Sequence, residues 1–417
     1  MPEFLTLLPP DEARALLFSN LPASHLQTEE VDVMHALGRV LAEDVVAPHP
    51  LPEFPRSTVD GYAVRATDTY GASESQPAYL NLIGEVPMGA VAQVEIQAEQ
   101  CALIHTGGML PTGADAVVML EYTQQITTDR SGEIEVLRAV AVGENVITRG
   151  EDVTEGQFVM ARGSLLRPAD IGGLLALGIT QVAVSQKVIV GLIATGDEIV
   201  HPSQGTLPGQ VRDINTYTLA TLVEKSGGWA KPYGIFKDDF VALQQATAQA
   251  LTECDVVVVT AGSSASTRDM TADVIRSLGE PGVLVHGINT RPGKPTILGA
   301  CQGKAIIGLP GNPVSAVVNG YLFVQPLIER LLGQLPTHKA QVRAKLSVNL
   351  SSQAGREDWW PVRLIPVEET DAISFIADPI FGKSNLIFTL AAADGLLRIA
   401  PDATGLAAGE PVDVFLF

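Results

Sequence analysis

The chain has 417 residues, of which 46% are hydrophobic and 18% are charged, a balance that excludes disordered, collagen-like and coiled-coil proteins. At roughly 100 to 200 residues per domain, this length predicts two to four domains. The 27 Lys and Arg residues against 47 Asp and Glu residues give a net charge of −20, which argues against a broad cationic surface for nucleic acid or anionic lipid. We therefore expect any anionic ligand to bind where positive charge is concentrated locally.

The cysteines and the N-terminus indicate a reducing compartment. Cys101, Cys254 and Cys301 lie far apart with no CxxC pair, so neither a disulfide framework nor a sequence-local zinc site is indicated. The N-terminus lacks a basic n-region, and no apolar run approaches the roughly 20 residues of a membrane span. We expect a soluble, unprocessed protein of the cytoplasm.

The first part of the chain mixes helical and β-rich patterns. Apolar periodicity predicts short amphipathic helices over 11–20 and 33–43, packed on each other, and a third helix over 168–178. Four prolines predict a loop between 48 and 65. Between about 78 and 163, short apolar runs separated by Gly, Pro and Asp turns predict a β-rich module.

A different pattern begins at residue 188, where a nearly continuous apolar run predicts a strand that is buried on both faces of a parallel sheet. The predicted strands are 188–195, 231–236, 255–260, 283–288 and 304–309, and the predicted helices are 215–226 with Asn215 as N-cap, 240–251, 271–278 and 314–333. This alternation is typical of a doubly wound α/β domain. From residue 336 onward, short strand-like runs predict a small all-β domain.

Three polar loops follow apolar strands of the predicted sheet, over 195–198, 260–269 and 308–313. Ligands of α/β domains bind at the carboxyl ends of the strands, so we expect these loops to share one site. In the loop 260–269, hydroxyls, a glycine and Arg268 precede a helix, an arrangement that suits a phosphate or an oxyanion. A serine-rich loop that only caps the helix is an equally good interpretation of this segment alone.

Two further features are chemically distinctive. The loop 291–295 holds Arg291 and Lys294 on a backbone that its prolines make stiff, although a solvated turn is the alternative for such a loop in isolation. Carboxylates suited to Mg²⁺ are present in several loops, although surface charge is the simpler explanation of any single one; they are Asp60, Asp152, Asp197, Glu198, Asp238, Asp239 and Asp269. The absence of HExxH, GxGxxG, GxxxxGK[ST] and GxSxG argues against several common enzyme classes.

Together the loops resemble one known family. The segments are FPRSTVDGYAVR (54–65), TGGMLPTGADAVVMLE (106–121), RGEDV (149–153), TGDEIV (195–200), TAGSSASTRD (260–269), RPGKPT (291–296) and GLPGNPVS (308–315). They are similar, in the same order over nearly the whole chain, to the MoeA-type molybdopterin molybdenumtransferases, the family that includes the C-terminal part of gephyrin.

The resemblance implies a homodimer of four-domain subunits. The expected domains are a helical N-terminal domain (1–48 with 150–185), a β-rich domain (49–149), an α/β domain that binds the molybdopterin nucleotide (186–334) and a C-terminal β-barrel (335–417). The implied activity is insertion of molybdenum, or tungsten, from the oxyanion into adenylylated molybdopterin, with Mg²⁺-dependent release of AMP.

The resemblance and the loops also imply site residues. Asp60, Thr106 and Asp152 match the site wall that a second subunit supplies. Catalytic candidates are Asp60, Glu198, Asp238, Asp269 and Lys294, with Glu198, Asp238 and Asp269 as Mg²⁺ ligands. Candidates for binding the substrate are Thr106, Asp152, Thr195, Gly196, Asp197, Gly262, Ser264, Arg268, Arg291, Pro310, Pro313, Arg356 and Ser384.

The chain departs from the family pattern in one loop, where Ala261 and Ser266 stand at positions that are glycine in many members. The choice between molybdate and tungstate therefore stays open. Two other functions are also compatible with the resemblance: adenylylation of molybdopterin, which a related α/β domain performs, and a cofactor carrier or scaffold of gephyrin type. We rank the transferase ahead of both.

Overall fold

The N-terminal part of the chain combines helices with short paired strands. The computed structural model describes residues 7–22, 27–128, 131–261, 265–337, 340–367 and 375–417. Helices at Pro10–Ser19 and Pro168–Ala176 confirm two of the predicted helices. Thr28–Asp32 pairs with Gln181–Ser185, and Val45–Val46 pairs with Phe158–Met160. Over all the residues that the structure describes, no helix is long and apolar enough to cross a membrane.

The prediction of a helix over 33–43 is wrong. The segment holds one 3₁₀ turn, Val33–His35, and Gly38 follows in the left-handed region with φ of 71°. Val40 and Leu41 then form isolated bridges to Leu165 and Val184. The side chains of Val40 and Leu41 are buried although the backbone is extended, because β-bridges rather than helix packing hold this segment against its neighbours.

The β-rich module is a six-stranded sheet, which confirms the β prediction for 78–163. Its strands in spatial order are Ala116–Met119, Gly61–Val64, Gln100–Ile104, Ala78–Glu85, Ser131–Val136 and Thr123–Thr128. The predicted loop over 48–65 is therefore wrong in part, because it contains the fully buried strand Gly61–Val64. A short strand at Arg56–Ser57 also pairs with Val146–Ile147.

The α/β domain is built on a second six-stranded sheet, whose elements we label in chain order. They are β1 (Ile189–Thr195), α1 (Asn215–Lys225), β2 (Trp229–Phe236), α2 (Phe240–Glu253), β3 (Val256–Ala261), α3 (Ala265–Ser277), β4 (Pro281–His286), β5 (Ile297–Cys301), β6 (Lys304–Pro310) and α4 (Pro313–Asn319). The order is β2-β1-β3-β6-β5-β4, and the first four strands are parallel. Strand β5 was not predicted; it runs antiparallel to both of its neighbours.

The helices of this domain differ from the predictions at three points. Helix α3 begins at Ala265 rather than 271, so residues 265–269 are helical rather than part of the loop. Asp213, not Asn215, accepts a hydrogen bond from an amide of the first turn of α1, that of Thr216 at 3.1 Å. The predicted helix 314–333 is divided into α4, a π-helix at Gly320–Val324 and a helix at Gln325–Leu331.

The C-terminal domain is a closed five-stranded barrel, as predicted. Its strands are Gln341–Leu346, Glu357–Pro366, Phe375–Pro379, Gly395–Ile399 and Pro411–Leu416. The sheet closes where Glu357–Pro366 pairs with Gly395–Ile399. The α/β domain adds the short strand Thr290–Arg291, which pairs in parallel with Glu357 and Asp358 at the edge of the barrel. This pairing places the loop that follows Arg291 between the two domains.

Candidate functional site

A pocket of about 350 Å³ lies at the carboxyl ends of β1, β3 and β6, and we call it the edge pocket. All three loops that follow these strands contribute to it, through Thr195 and Glu198, Thr260 and Ala261, and the segment 311–313. The described residues of these loops therefore line one common pocket, and its use as a ligand site stays a prediction.

Glycine shapes the first of these loops. Gly196 has φ of 150°, and a Cβ at this position would lie 2.9 Å from Glu198 Oε2 and 2.8 Å from Ile199 Cγ1. Only glycine leaves room for the Glu198 carboxylate to pack against the backbone just after the C-terminal end of β1. Asp197, in contrast, is exposed and is not among the described residues that line the edge pocket.

The neighbouring strand brings a second carboxylate close to this loop. Thr195 pairs with Phe236 at the ends of β1 and β2, and its buried hydroxyl donates a hydrogen bond of 2.9 Å to Asp238. Asp238 is thus anchored to a residue that lines the edge pocket, although its own side chain is exposed.

A larger cleft of about 750 Å³, which we call the basic cleft, lies between the α/β domain and the barrel. Among the described residues that line it are four cations and no carboxylate. The cations are Arg291, Lys294, Arg356 and Lys383. Asn312 and Asn385 line both the basic cleft and the edge pocket, so the two spaces adjoin. In a chain of net charge −20, this is the local concentration of positive charge that an anionic ligand requires.

The buried side-chain amide of Asn319 stabilises the backbone of the loop 291–295. Asn319 at the end of α4 donates hydrogen bonds to the carbonyl oxygens of Pro292, at 3.2 Å, and Ser315, at 2.8 Å. Gly293 has φ of 108° and packs directly on this amide, so that a Cβ would overlap Asn319 Nδ2. Lys294 is therefore presented to the cleft by a loop with little freedom to move.

Asp60, Thr106 and His105 form a separate cluster on the β-rich module. The backbone N–H of Thr106 donates to Asp60 at 2.8 Å, its hydroxyl donates at 3.3 Å, and His105 Nδ1 lies 3.6 Å away. The hydrogen bond from the Thr106 N–H holds the pKa of Asp60 below its ordinary value. Asp152 lies in a turn, where its own N–H donates to the Leu51 carbonyl oxygen at 3.0 Å.

The structure thus divides the predicted site residues into three groups. Thr195, Glu198 and Pro313 line the edge pocket, whereas Arg291, Lys294, Pro310, Arg356 and Ser384 line the basic cleft. The third group lines neither space of this chain among the described residues, and it consists of Asp60, Thr106, Asp152, Gly196, Asp197 and Asp238. Gly262 and Ser264, and the side chains of Arg268 and Asp269, lie outside the described residues.

Several residues that line these spaces were missed by sequence reasoning. They are Asn215 and Asp213 in the edge pocket, Trp359, Trp360 and Lys383 in the basic cleft, and the shared Asn312 and Asn385. Lys383 directly precedes the predicted Ser384, so that match could have led to it. The paired tryptophans carry no comparable signal, because aromatic residues are common in strands of any function.

Three family models together match most of the chain. They are described as the MoeA N-terminal region (domains I and II), over residues 8–178, a "Probable molybdopterin binding domain", over 191–330, and the MoeA C-terminal region (domain IV), over 343–417. Lys294 and all the described residues that line the edge pocket, except Asn385, belong to the segment that the second model matches.

Individual proteins show the same similarity over most of their length. The molybdopterin molybdenumtransferase of Haemophilus influenzae is 34% identical over 84% of each chain. Molybdopterin molybdenumtransferase 2 of Mycobacterium tuberculosis is 32% identical over 92% of this chain and 94% of its own. The crystal structure of the molybdopterin biosynthesis MoeA protein from Pyrococcus horikoshii OT3 superposes with a TM-score of 0.84 at 35% identity, covering 99% of this chain and 100% of its own. The chain therefore belongs to the MoeA family of molybdopterin molybdenumtransferases, the enzymes of molybdenum cofactor biosynthesis.

Proposed function

We propose that the chain inserts molybdenum from molybdate, or tungsten from tungstate, into adenylylated molybdopterin and releases AMP. The basic cleft binds the oxyanion, and the edge pocket binds the phosphates of the pterin nucleotide. The observation that carries the proposal is the junction of the two spaces at Asn312 and Asn385, with cations concentrated on one side of it. A dianion in the cleft would then lie beside the nucleotide that receives its metal.

Charge explains how a strongly acidic protein binds two anionic substrates. Remote carboxylates are screened over a Debye length of about 8 Å at physiological ionic strength. The four cations of the basic cleft face the ligand directly, so they determine the local potential. Water cleaves the anhydride to give AMP and the pterin phosphate. The two dithiolene sulfurs replace an oxygen ligand of molybdenum, and this oxygen leaves as water with the two thiol protons. Neither step requires a covalent bond to the protein.

The acidic residues near the edge pocket are compatible with Mg²⁺ that is shared with a substrate. No group of three or more His, Cys, Asp or Glu side chains in the described residues is arranged as a metal cage. Mg²⁺ usually takes one or two carboxylates together with phosphate oxygens and water. Glu198 borders the edge pocket and Asp238 is anchored to its wall by Thr195, so these two fit that role. When bound, the ion would neutralise charge on the departing AMP.

Two further assignments belong to this proposal. The active enzyme is a homodimer in which Asp60, Thr106 and Asp152 of one subunit face the edge pocket of the other.

The reaction takes place in the cytoplasm. The described cysteines Cys101, Cys254 and Cys301 are free and buried, and burial raises the pKa of the Cys101 thiol to about 12. Unpaired thiols of this kind suit a reducing compartment.

The decisive experiment combines the purified protein with adenylylated molybdopterin, Mg²⁺ and either molybdate or tungstate, and follows AMP release and bound metal. We expect AMP and metal insertion with at least one oxyanion and a requirement for Mg²⁺. Consumption of ATP on molybdopterin would instead show the adenylylation step. Binding of the pterin without any turnover would indicate a carrier.

A Lys294→Ala variant tests the basic cleft in the same assay. Loss of a cation that faces the bound oxyanion should weaken molybdate binding about tenfold, a cost typical of one charge-assisted contact. Lys187→Ala removes an exposed lysine outside both spaces and serves as the matched control. Full turnover and unchanged molybdate affinity in the Lys294→Ala protein would contradict the assignment.

A further inference from the structure

We propose that Asp358 is a positioning residue whose buried carboxylate orients Arg291 and Arg356 into a fork that binds the oxyanion substrate. This inference rests on the proposed function of the basic cleft. Arg291 and Arg356 line the cleft, whereas Asp358 lies behind them and is not among the described residues that line it.

Burial and pairing single out this carboxylate. Asp358 is 1% exposed, and Arg356 donates to it twice, from Nε at 2.6 Å and from Nη2 at 2.9 Å. Arg291 Nη1 lies 3.9 Å from its second oxygen. Because a buried carboxylate is costly unless it is paired and hydrogen-bonded, Asp358 holds Arg356 in place through two hydrogen bonds. It attracts Arg291 as an ion pair at longer range.

The hydrogen bonds leave Arg356 with donors to spare. Of the five N–H donors of a guanidinium, the described contacts of Arg356 use Nε and one donor of Nη2 on Asp358, and one donor of Nη1 on Gln353 at 3.1 Å. The two remaining donors belong to the two terminal nitrogens. A planar pair of this kind matches two oxygens of a tetrahedral anion, as in bidentate recognition of phosphate.

Arg291 is fixed from two sides by one strand of the barrel. In the parallel pairing at the edge of the barrel, Arg291 lies opposite Asp358, and its guanidinium stacks over the Trp360 ring at 5.3 Å. Its side chain is still 55% exposed, so it remains accessible from the cleft. The alternation of residues along the strand therefore places a carboxylate and a ring face around one guanidinium.

The sign of the effect separates positioning from simple charge. Asp358 is an anion beside an anion site, so by charge alone its removal should strengthen oxyanion binding. If its role is to fix the two guanidiniums, its removal should weaken binding, because the entropy of ordering two long side chains must then be lost on binding. The two explanations predict opposite changes in one measurable affinity.

The test is calorimetric titration of the full-length protein with sodium molybdate alone, for the unaltered chain and for Asp358→Asn. We expect about tenfold weaker binding by the variant, the lower end of what loss of a group that supports metal ligands typically costs. In the complete assay, the KM for molybdate should rise while the KM for adenylylated molybdopterin stays unchanged. Equal or tighter molybdate binding by a folded variant would overturn the inference.

Glu357→Gln is the matched control, because Glu357 is a neighbouring buried carboxylate of the same strand. Its partners are Trp359 Nε1 at 2.7 Å and Arg398 Nη2 at 2.5 Å, rather than the two arginines of the fork. We expect its molybdate affinity to be unchanged. An equal loss in both variants would show a general loss of structure and overturn the inference.

A second variant covers the case in which Asp358→Asn does not fold. Arg356→Lys keeps the positive charge but not the planar fork, so it should also weaken molybdate binding about tenfold. Undiminished binding by this variant would overturn the inference. Failure of the unaltered protein to bind molybdate would instead refute the proposed oxyanion cleft itself, which is a distinguishable result.

Discussion

Glu253 illustrates how strongly neighbouring donors alter a single side chain. It lies at the end of α2 and accepts hydrogen bonds from Lys231 and Tyr233, both at 2.6 Å, and from Gln249 at 2.9 Å. With the Lys231 ammonium as the largest cause, these donors lower the pKa of Glu253 from 4.5 to about 2. The ionised carboxylate therefore favours the folded state over a defined range of pH.

We predict that this contribution disappears in acid. A lowered pKa means that the stabilisation is fully present above the unfolded value near 4.5 and is lost as the pH falls towards about 2. The unaltered protein should unfold at a higher temperature than Glu253→Gln at pH 6, and the difference should close between these two values. Thermal unfolding by circular dichroism measures it. A difference that stays constant down to pH 2 would contradict the assignment of this pKa.

Individual site residues differed in how far the sequence could indicate them. Arg291 and Lys294 were predicted because Pro292 and Pro295 mark their loop as rigid, which is unusual for surface cations. Asp358 was not, since an acidic residue between Glu357 and Trp359 has the sequence pattern of any exposed charge. Its importance depends on burial, which arises only when the barrel strand meets the loop from the α/β domain.

At the scale of elements, continuous apolar runs were reliable and short interrupted ones were not. The buried strands β1 and β3 were predicted almost residue for residue, because a strand covered on both faces has an uninterrupted apolar sequence. The segment 33–43 and the strand Gly61–Val64 were wrongly interpreted, because tertiary pairing determined their backbone. Strand β5 was missed since its apolar run Ile297–Cys301 is short and contains a glycine.

The loop 291–295 offers a prediction at this scale. Gly293→Ala would place a methyl group on the Asn319 amide in addition to imposing an unfavourable φ, so the loop would have to move. We expect a loss of at least about 3 kcal/mol in the free energy of unfolding. Chemical denaturation measures this loss, and molybdate affinity should fall with it because Lys294 moves.

Gly409→Ala isolates the backbone contribution, because Gly409 has φ of 82° with open space around it. Its cost should be only about 1 kcal/mol. Equal destabilisation by both substitutions would show that the Asn319 contact does not restrict the loop.

At the scale of the whole molecule, the proposed dimer predicts complementation between subunits. At molybdate concentrations well below saturation, Asp60→Asn and Lys294→Ala should each be strongly impaired in AMP release. A mixed dimer contains one Asp60→Asn subunit and one Lys294→Ala subunit, and a different tag on each subunit allows it to be isolated. If Asp60 acts across the interface, one of its two sites is free of both substitutions. It should therefore recover about half of the normal rate of AMP release.

The matched control pairs Lys294→Ala with Arg291→Ala. Both residues line the basic cleft of their own chain, so each site of that mixed dimer carries one substitution and activity should not return. Absence of recovery in the Asp60 and Lys294 pair as well would show that Asp60 does not complete the partner's site.

The short pairing of Thr290–Arg291 with Glu357–Asp358 limits how this protein can be recombined with its relatives. Residue 335 lies at the boundary between the two domains, so a chimera joined there would be the obvious design. Such a chimera takes one of the two paired strands from each parent. Such hybrids should assemble a working cleft only when both parents agree at these few positions. Where the parents differ at these positions, the two domains should be exchanged together.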